Sequence, residues 1–304
     1  SIRGCDMSLN GHLFHLVHGP YTATIAASGA TLVGLRHAGR RLTASFDPRV
    51  SIGEGWEGRT LAPWPNRITG ARYSFGGVEF DLPANEPATG AALHGLAAHQ
   101  LWTPLHSTAR ELTLGLDLPA TPGYPFDLSL TVSYALDESG LSVRICATNV
   151  GAVAAPVALG SHPYLTWDDA PLDDCTVTSP GVAALLVDER MAPLELVDVA
   201  QTDVDFSTPT PMAGRSVDLA FQAPAGPWSV ELRHRDGAVR LQAEAPWLQL
   251  YSAERIGRHA LAVEAAAGVW EIIQAGAAEL IAPGRYRLTR LLRGQRGTEY
   301  AMGT

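Results

Sequence analysis

Between Leu128 and Ala147 the chain alternates with a period of two. Leu128, Leu130, Val132 and Tyr134 take one side, while Ser129, Thr131 and Ser133 take the other. After Asp137-Glu138-Ser139-Gly140, the residues Leu141, Val143, Ile145 and Ala147 again share a side. Such a period places the apolar members on one face of a strand, and two such runs joined by a short glycine-containing turn make a hairpin. The arrangement recurs at 228–233 and 238–242, around Asp236-Gly237, a favoured hairpin dipeptide. Further strands are expected over 21–27, 31–37, 73–75, 78–82, 112–118, 155–160, 247–252 and 259–264. Helical periodicity is scarce and no long capped amphipathic helix is present. The expected fold is therefore all-β, a large antiparallel β-sandwich.

No repeat or linker divides the 304 residues, and the 30 glycines and 21 prolines are spread along the chain as many turns require. One domain over 1–304 is expected. Met7 reads as the natural initiator, with residues 1–6 an appended remnant and the polar, glycine-rich 294–304 a flexible tail. Hydrophobic residues make up 46% and charged residues 17% of the chain, which allows a sizeable core. The net charge of −9 argues against nucleic acid, whose phosphates need a cationic patch. All 22 basic residues are arginine, which we read as coding bias. Cys5, Cys146 and Cys175 are odd in number and lack CxxC spacing. That fits unpaired thiols in a reducing cytoplasm better than a disulfide framework. No apolar run nears the roughly 18 residues of a membrane helix, so no membrane partner is expected.

The densest chemistry lies in Ala62-Pro63-Trp64-Pro65-Asn66-Arg67-Ile68. Each proline fixes its own φ and holds the residue before it extended, so Asn66 and Arg67 are ordered in advance of a ligand. Asn66 offers an acceptor and two donors, and Arg67 five donors in a planar fork. Beside the Trp64 indole they suit a neutral polyol, whose C–H faces seek an aromatic wall; the alternative is a solvated arginine and a buried tryptophan. Two histidines stand out, His94 in Leu93-His94-Gly95-Leu96 and His162 in Ser161-His162-Pro163-Tyr164. Pro163 holds His162 extended, so its imidazole leaves a strand end in a defined direction. In His259–Glu264, Leu261 and Val263 share one face, while Ala260, Ala262 and Glu264 share the other. Glu264, at the end of that run, reads either as a half-buried base or as an edge charge.

In this order, Pro63–Ile68, Gly70–Gly77, Leu93–Leu96, Ser161–Tyr164 and the late Val263-Glu264 resemble the aldose 1-epimerase, or galactose mutarotase, family over residues 8–290. The resemblance implies that family's large β-sandwich, with a sugar cleft on one sheet and no cofactor. It implies Glu264 as the base that takes the proton of the sugar C1 hydroxyl, His162 as the acid that protonates the ring oxygen, and His94 as a second histidine near that oxygen. Asn66 and Arg67 match the hydroxyl-holding pair, so Arg67→Ala should chiefly weaken sugar binding. Asp218, in Val217–Phe221, and Gln249, in Leu248–Tyr251, match further sugar contacts. The implied function is interconversion of the α and β anomers of a free glucose- or galactose-like aldohexose by a cytoplasmic monomer or homodimer. The alternative is a non-catalytic sugar binder or sensor on the same fold. The family pattern departs after Glu264, where Ala265-Ala266-Ala267-Gly268-Val269-Trp270 replaces a proline-led loop, while Ala282-Pro283-Gly284 keeps the last turn. The stretch Leu291–Glu299 resembles a segment of phage-tail and gene-transfer-agent proteins, which implies a fused or altered carboxy terminus.

His94, His162 and Glu264 could form a His₂Glu metal set, but no HExxH-like spacing supports one, and no metal is expected. His12, His15 and His18 cannot share one strand face. A glycosidase would need two facing carboxylates, for which Asp218 and Glu264 are the candidates.

Overall fold

The computed structural model describes residues 9–267, together with the paired strands Ile273–Ala282 and Arg285–Arg293. The expectations for 1–6, 294–304, Pro283-Gly284 and Gly268–Trp270 fall outside the described residues.

The Leu128–Asp137 and Gly140–Asn149 strands pair antiparallel, as their alternation requires, and join Glu111–Leu118 and Thr103–Ser107 in a four-stranded sheet. Along Leu128–Asp137 every second side chain is buried. A second four-stranded sheet runs Leu13–His18, Tyr21–Ala26, Thr31–His37 and Arg40–Arg41. Leu128, Leu130, Val132 and Leu114 meet Phe14, Leu16 and Ile25 in one core.

The sheet that carries the cleft has eight strands. Its order is Pro193–Asp198, Ala183–Val187, Asp218–Gln222, Trp247–Tyr251, Leu261–Ala267, Leu159–Ser161 and Thr60–Leu61, with Tyr164–Leu165 also on Leu261–Ala267. One face is apolar: Phe221, Leu248, Leu250, Leu261 and Val263 pack on Val177, Val230, Leu232 and Val239 of a third, four-stranded sheet. Leu248, Leu250 and Val263 expose no surface, and each such burial contributes about 1.5–3 kcal/mol. Period two then turns the intervening residues of those strands to the opposite face. The layers are those of the expected sandwich.

Two strand expectations shift. Within 155–160 pairing begins only at Leu159, because the Ala158 amide donates to Pro63 O and not to a sheet neighbour. The run 259–264 pairs from Leu261 and continues to Ala267, so Glu264 stands mid-strand and not at a strand end. Among the described residues the helices are 3-10 turns of three residues, and no helix is long and apolar enough to cross a membrane.

Candidate active site

Register gathers the polar side chains. Asp218 pairs with Tyr251, and Gln249 with Glu264. Directly paired residues of an antiparallel ladder point to one side, so Asp218, Gln249, Tyr251 and Glu264 share the face away from the apolar layer. His162 follows the Leu159–Ser161 strand. Its amide donates to Arg59 O, its carbonyl accepts from Gly58, and Pro163 O accepts from Val263. The histidine is thus fixed from both flanks beside the Glu264 strand.

The Ala62–Ile68 loop lies across this face. Ala62-Pro63 is a cis peptide; Ala62 O accepts from Leu96 and Ala97, and Pro63 O from Ala158. Two glycines permit the approach. A Cβ on Gly160 would stand 2.8 Å from Pro65 Cβ, and one on Gly95, whose φ is +75°, would stand 2.2 Å from Ala62 O. Asn66 and His94 clasp each other: the His94 amide donates to Asn66 O at 2.8 Å, and the Asn66 amide donates to His94 Nδ1 at 3.0 Å. Both residues hold left-handed backbone, φ 56° and 62°, as does Trp56 at 67°. That conformation is uncommon outside glycine and clusters at functional sites.

The result is a cleft of about 500 Å³, counting the solvent space at its mouth. All seven residues singled out from the sequence, Asn66, Arg67, His94, His162, Asp218, Gln249 and Glu264, line it. At its floor His162 Nε2 lies 3.0 Å from Glu264 Oε1, with both side chains at 5% exposure or less. Glu264 Oε2 and His162 Nδ1 are buried without a hydrogen-bond partner. The His162 ring stacks on Tyr164 at 5.0 Å, and the Tyr164 hydroxyl donates to Gly55 O. An amide relay orients the next group: Asn66 Nδ2 donates to Gln249 Oε1 at 3.0 Å, and Gln249 Nε2 donates to Asp218 Oδ1 at 2.7 Å.

Burial dominates the electrostatics. It pushes the Glu264 carboxyl up to about 8, with the Asp218 charge adding to the rise and Arg67 opposing it. Burial also pushes His162 down to about 3, and Arg67 lowers it further. Between those limits the carboxyl holds the proton and the imidazole is neutral, with the two atoms 3.0 Å apart. His94 is held well below its ordinary value by burial and by the neighbouring His162 and Arg67 charges. It is neutral, and with Nδ1 accepting from Asn66 its proton sits on Nε2.

Two expectations are corrected. Trp64 is no wall of the cleft: its indole is buried, donates to Ala92 O and packs near Tyr124. Trp56, Tyr164 and Tyr251 line the cleft instead, and Trp56 sits between the rings of His94 and His99 at 4.8 Å from each. Nor is the Arg67 fork free. Its Nε and Nη2 donate to the two Glu86 oxygens at 2.6 and 2.8 Å, leaving Nη1 toward Asn66 Oδ1 at 3.4 Å. Glu86 had no signal in the sequence, since Asn85-Glu86-Pro87 reads as a solvated turn. Trp56, flanked by Gly55 and Gly58, could have been found as an aromatic in a glycine-rich loop.

One ligand atom each from His94, His162 and Glu264 lies within 4.8 Å of the others. A metal there would need Glu264 deprotonated and would have to enter between His162 Nε2 and Glu264 Oε1, which lie 3.0 Å apart.

The class so defined is a β-sandwich with a buried histidine–carboxylate contact at the floor of a polar cleft, and comparison with known proteins narrows it. The family model described as aldose 1-epimerase matches residues 12–284. The uncharacterized protein YihR of Escherichia coli (strain K12) is 37% identical over 262 residues, 85% of each chain. The galactose mutarotase of Mus musculus is 32% identical over 151 residues, 47% of this chain and 43% of its own. A crystal structure of the GalM/aldose epimerase homologue from C. elegans superposes with a TM-score of 0.76 at 18% identity, covering 84% of this chain and 89% of that one. The chain belongs to the aldose 1-epimerase family.

Proposed function

We propose that this protein interconverts the α and β anomers of a free aldohexose of the glucose or galactose type. The observation that carries the reading is the buried His162–Glu264 contact of 3.0 Å at the cleft floor. Opening a hemiacetal ring removes a proton from O1 and delivers one to O5, and both oxygens sit on the same carbon. Acid and base must therefore be neighbours, as these two are. The proton first passes from Glu264 to His162 across the 3.0 Å contact; Glu264 then takes the O1 proton while His162 gives its own to O5, so the pair begins and ends with one proton and only its place changes. After C1 rotates, reclosure reverses both transfers. In this reading His94 donates its Nε2 proton near the ring oxygen. Asn66, Arg67 Nη1, Asp218 and Gln249 hold the remaining hydroxyls, and Trp56 and Tyr251 supply the aromatic wall. The relative named galactose mutarotase supports a hexose substrate. A mere sugar binder would have no use for a buried carboxylate with a spare oxygen, Glu264 Oε2.

Polarimetry on freshly dissolved α-D-glucose and α-D-galactose tests this, run with and without a chelator. Acceleration over buffer, unchanged by the chelator, is the expected result. No acceleration for any aldose would leave a binder, and a rate lost to the chelator and restored by zinc would assign the triad to a metal.

The pair's single proton also sets a pH dependence. Catalysis needs the singly protonated pair. kcat/KM, which reports free-enzyme groups, should fall as pH rises past about 8, where Glu264 gives up the last proton, and as pH falls toward about 3, where His162 takes a second. Background-corrected rates from pH 4 to 10 should show a plateau with an alkaline limb. A rate that climbs without a break through pH 10 would rule the single-proton scheme out.

A further inference from the structure

Glu86 does not match any of the residues that the family resemblance carried over, yet it lines the cleft with a side chain 9% exposed. Both its oxygens are engaged by Arg67, at 2.6 and 2.8 Å, and Oε2 also accepts from the Thr89 hydroxyl. The turn that carries it is locked, since Thr89 and Gly90 amides donate to Glu86 O and the Glu86 amide to Ala91 O. A fork held by two parallel hydrogen bonds has one orientation, so Glu86 decides which edge of Arg67 the cleft sees. It also decides how much of the Arg67 charge reaches the floor.

We propose that Glu86 is a positioning residue of the anomer exchange: it aims Arg67 Nη1 at the sugar and screens the Arg67 cation from the Glu264–His162 pair. The proposal rests on the reading of that pair given above.

Facing the pair are Arg67 from the Ala62–Ile68 loop, Asp218 from its strand, His94 from the Leu93–Leu96 segment, and Tyr164. Facing Glu86 are Arg67, Thr89, Asp218 and Arg255. Arg67 is the cation acting on both members of the pair, and it favours the ionised carboxylate and the neutral imidazole. The Glu86 carboxylate stays ionised: burial would raise it, but the Arg67 and Thr89 hydrogen bonds hold it below the usual range. Replacing it with a neutral amide leaves a whole positive charge beside the floor, which makes Glu264 easier to ionise.

In Glu86→Gln the alkaline limb of kcat/KM should move down by about one pH unit, and KM should rise by about tenfold as Arg67 loses its aim. Glu86→Asp, which keeps the charge on a shorter stem, should raise KM but leave the limb in place. A purely structural role would move neither the limb nor the KM-to-kcat balance in this pattern. The same shift is read without turnover, from the ¹³C resonance of the Glu264 carboxyl titrated in wild type and Glu86→Gln. If wild type accelerates no aldose, the functional reading falls while this titration still decides the screening. An unmoved Glu264 midpoint in folded Glu86→Gln overturns the proposal. Should that variant not fold, Arg67→Met/Glu86→Leu removes both charges. Its midpoint should stay near that of wild type, and a fall of about one pH unit there would equally overturn it.

Discussion

Glu264→Gln is expected to lower kcat by about 10²–10⁴, the contribution of one well-placed base, without loss of the fold. The glutamine keeps the shape and can donate its amide to His162 Nε2 across the 3.0 Å contact, but it cannot accept the O1 proton. Sugar affinity, set by groups elsewhere in the cleft, should change little, so the loss falls on kcat. Stability should move the other way. Burial raises the folded-state Glu264 carboxyl from 4.5 to about 8. Between those values the folded chain holds a proton that the unfolded chain has released. Wild type therefore loses stability as pH rises through that window, and Glu264→Gln has nothing to lose there. Denaturant titrations at pH 5 and pH 8.5 should show the variant gaining on wild type by a few kcal/mol at the higher pH, roughly the linked free energy. Retained turnover would place the base elsewhere, and a variant that loses stability faster than wild type over this window would contradict the burial argument.

How much of this was legible in the sequence depended on whether a residue's environment is written next to it. The 128–149 hairpin was readable because one face of Leu128–Asp137 is buried throughout and the other is not. Thr103–Ser107 was not, because it is exposed along its whole length and has no alternation to show. Leu13–His18 was masked by histidines at 12, 15 and 18, of which His15 leans outward to the Thr24 hydroxyl. Ala183–Val187 pairs through Ala183, Ala184 and Leu185 with Gln222, Phe221 and Ala220, a partner 35 or more residues away that leaves no local mark. At the cleft, His162 and Glu264 were singled out by their motifs and both line it, and the apolar partners Leu261 and Val263 gave the face of Glu264 correctly. The Trp64 wall failed because a residue between two prolines is stiff in either direction, and here the indole turns to Ala92 and Tyr124. Glu86 was invisible because its meaning comes chiefly from Arg67, 19 positions earlier.

That partnership changes what removing Arg67 should do. From the sequence alone Arg67→Ala chiefly weakens sugar binding; in the folded chain it also strands Glu86. The pair is bidentate and nearly dry, with side chains 14% and 9% exposed. Truncating one member of such a pair leaves an unmatched buried charge and costs about 3–5 kcal/mol, far more than a surface ion pair is worth. We therefore expect Arg67→Ala to shift the denaturation midpoint strongly at pH 7. Part of that loss should return as pH falls, because protonating Glu86 relieves the stranded charge. Arg67→Met/Glu86→Leu discriminates between lost packing and lost charge. It fills the same volume with apolar groups, and such replacements of buried pairs are neutral or stabilising in many folds. The double variant should recover most of the stability and none of the sugar affinity, since Arg67 Nη1 is still missing from the cleft. If Arg67→Ala were as stable as wild type, the Glu86 carboxylate would have to find water or another donor once Arg67 is gone, and the cleft at that wall would be wetter than its geometry indicates.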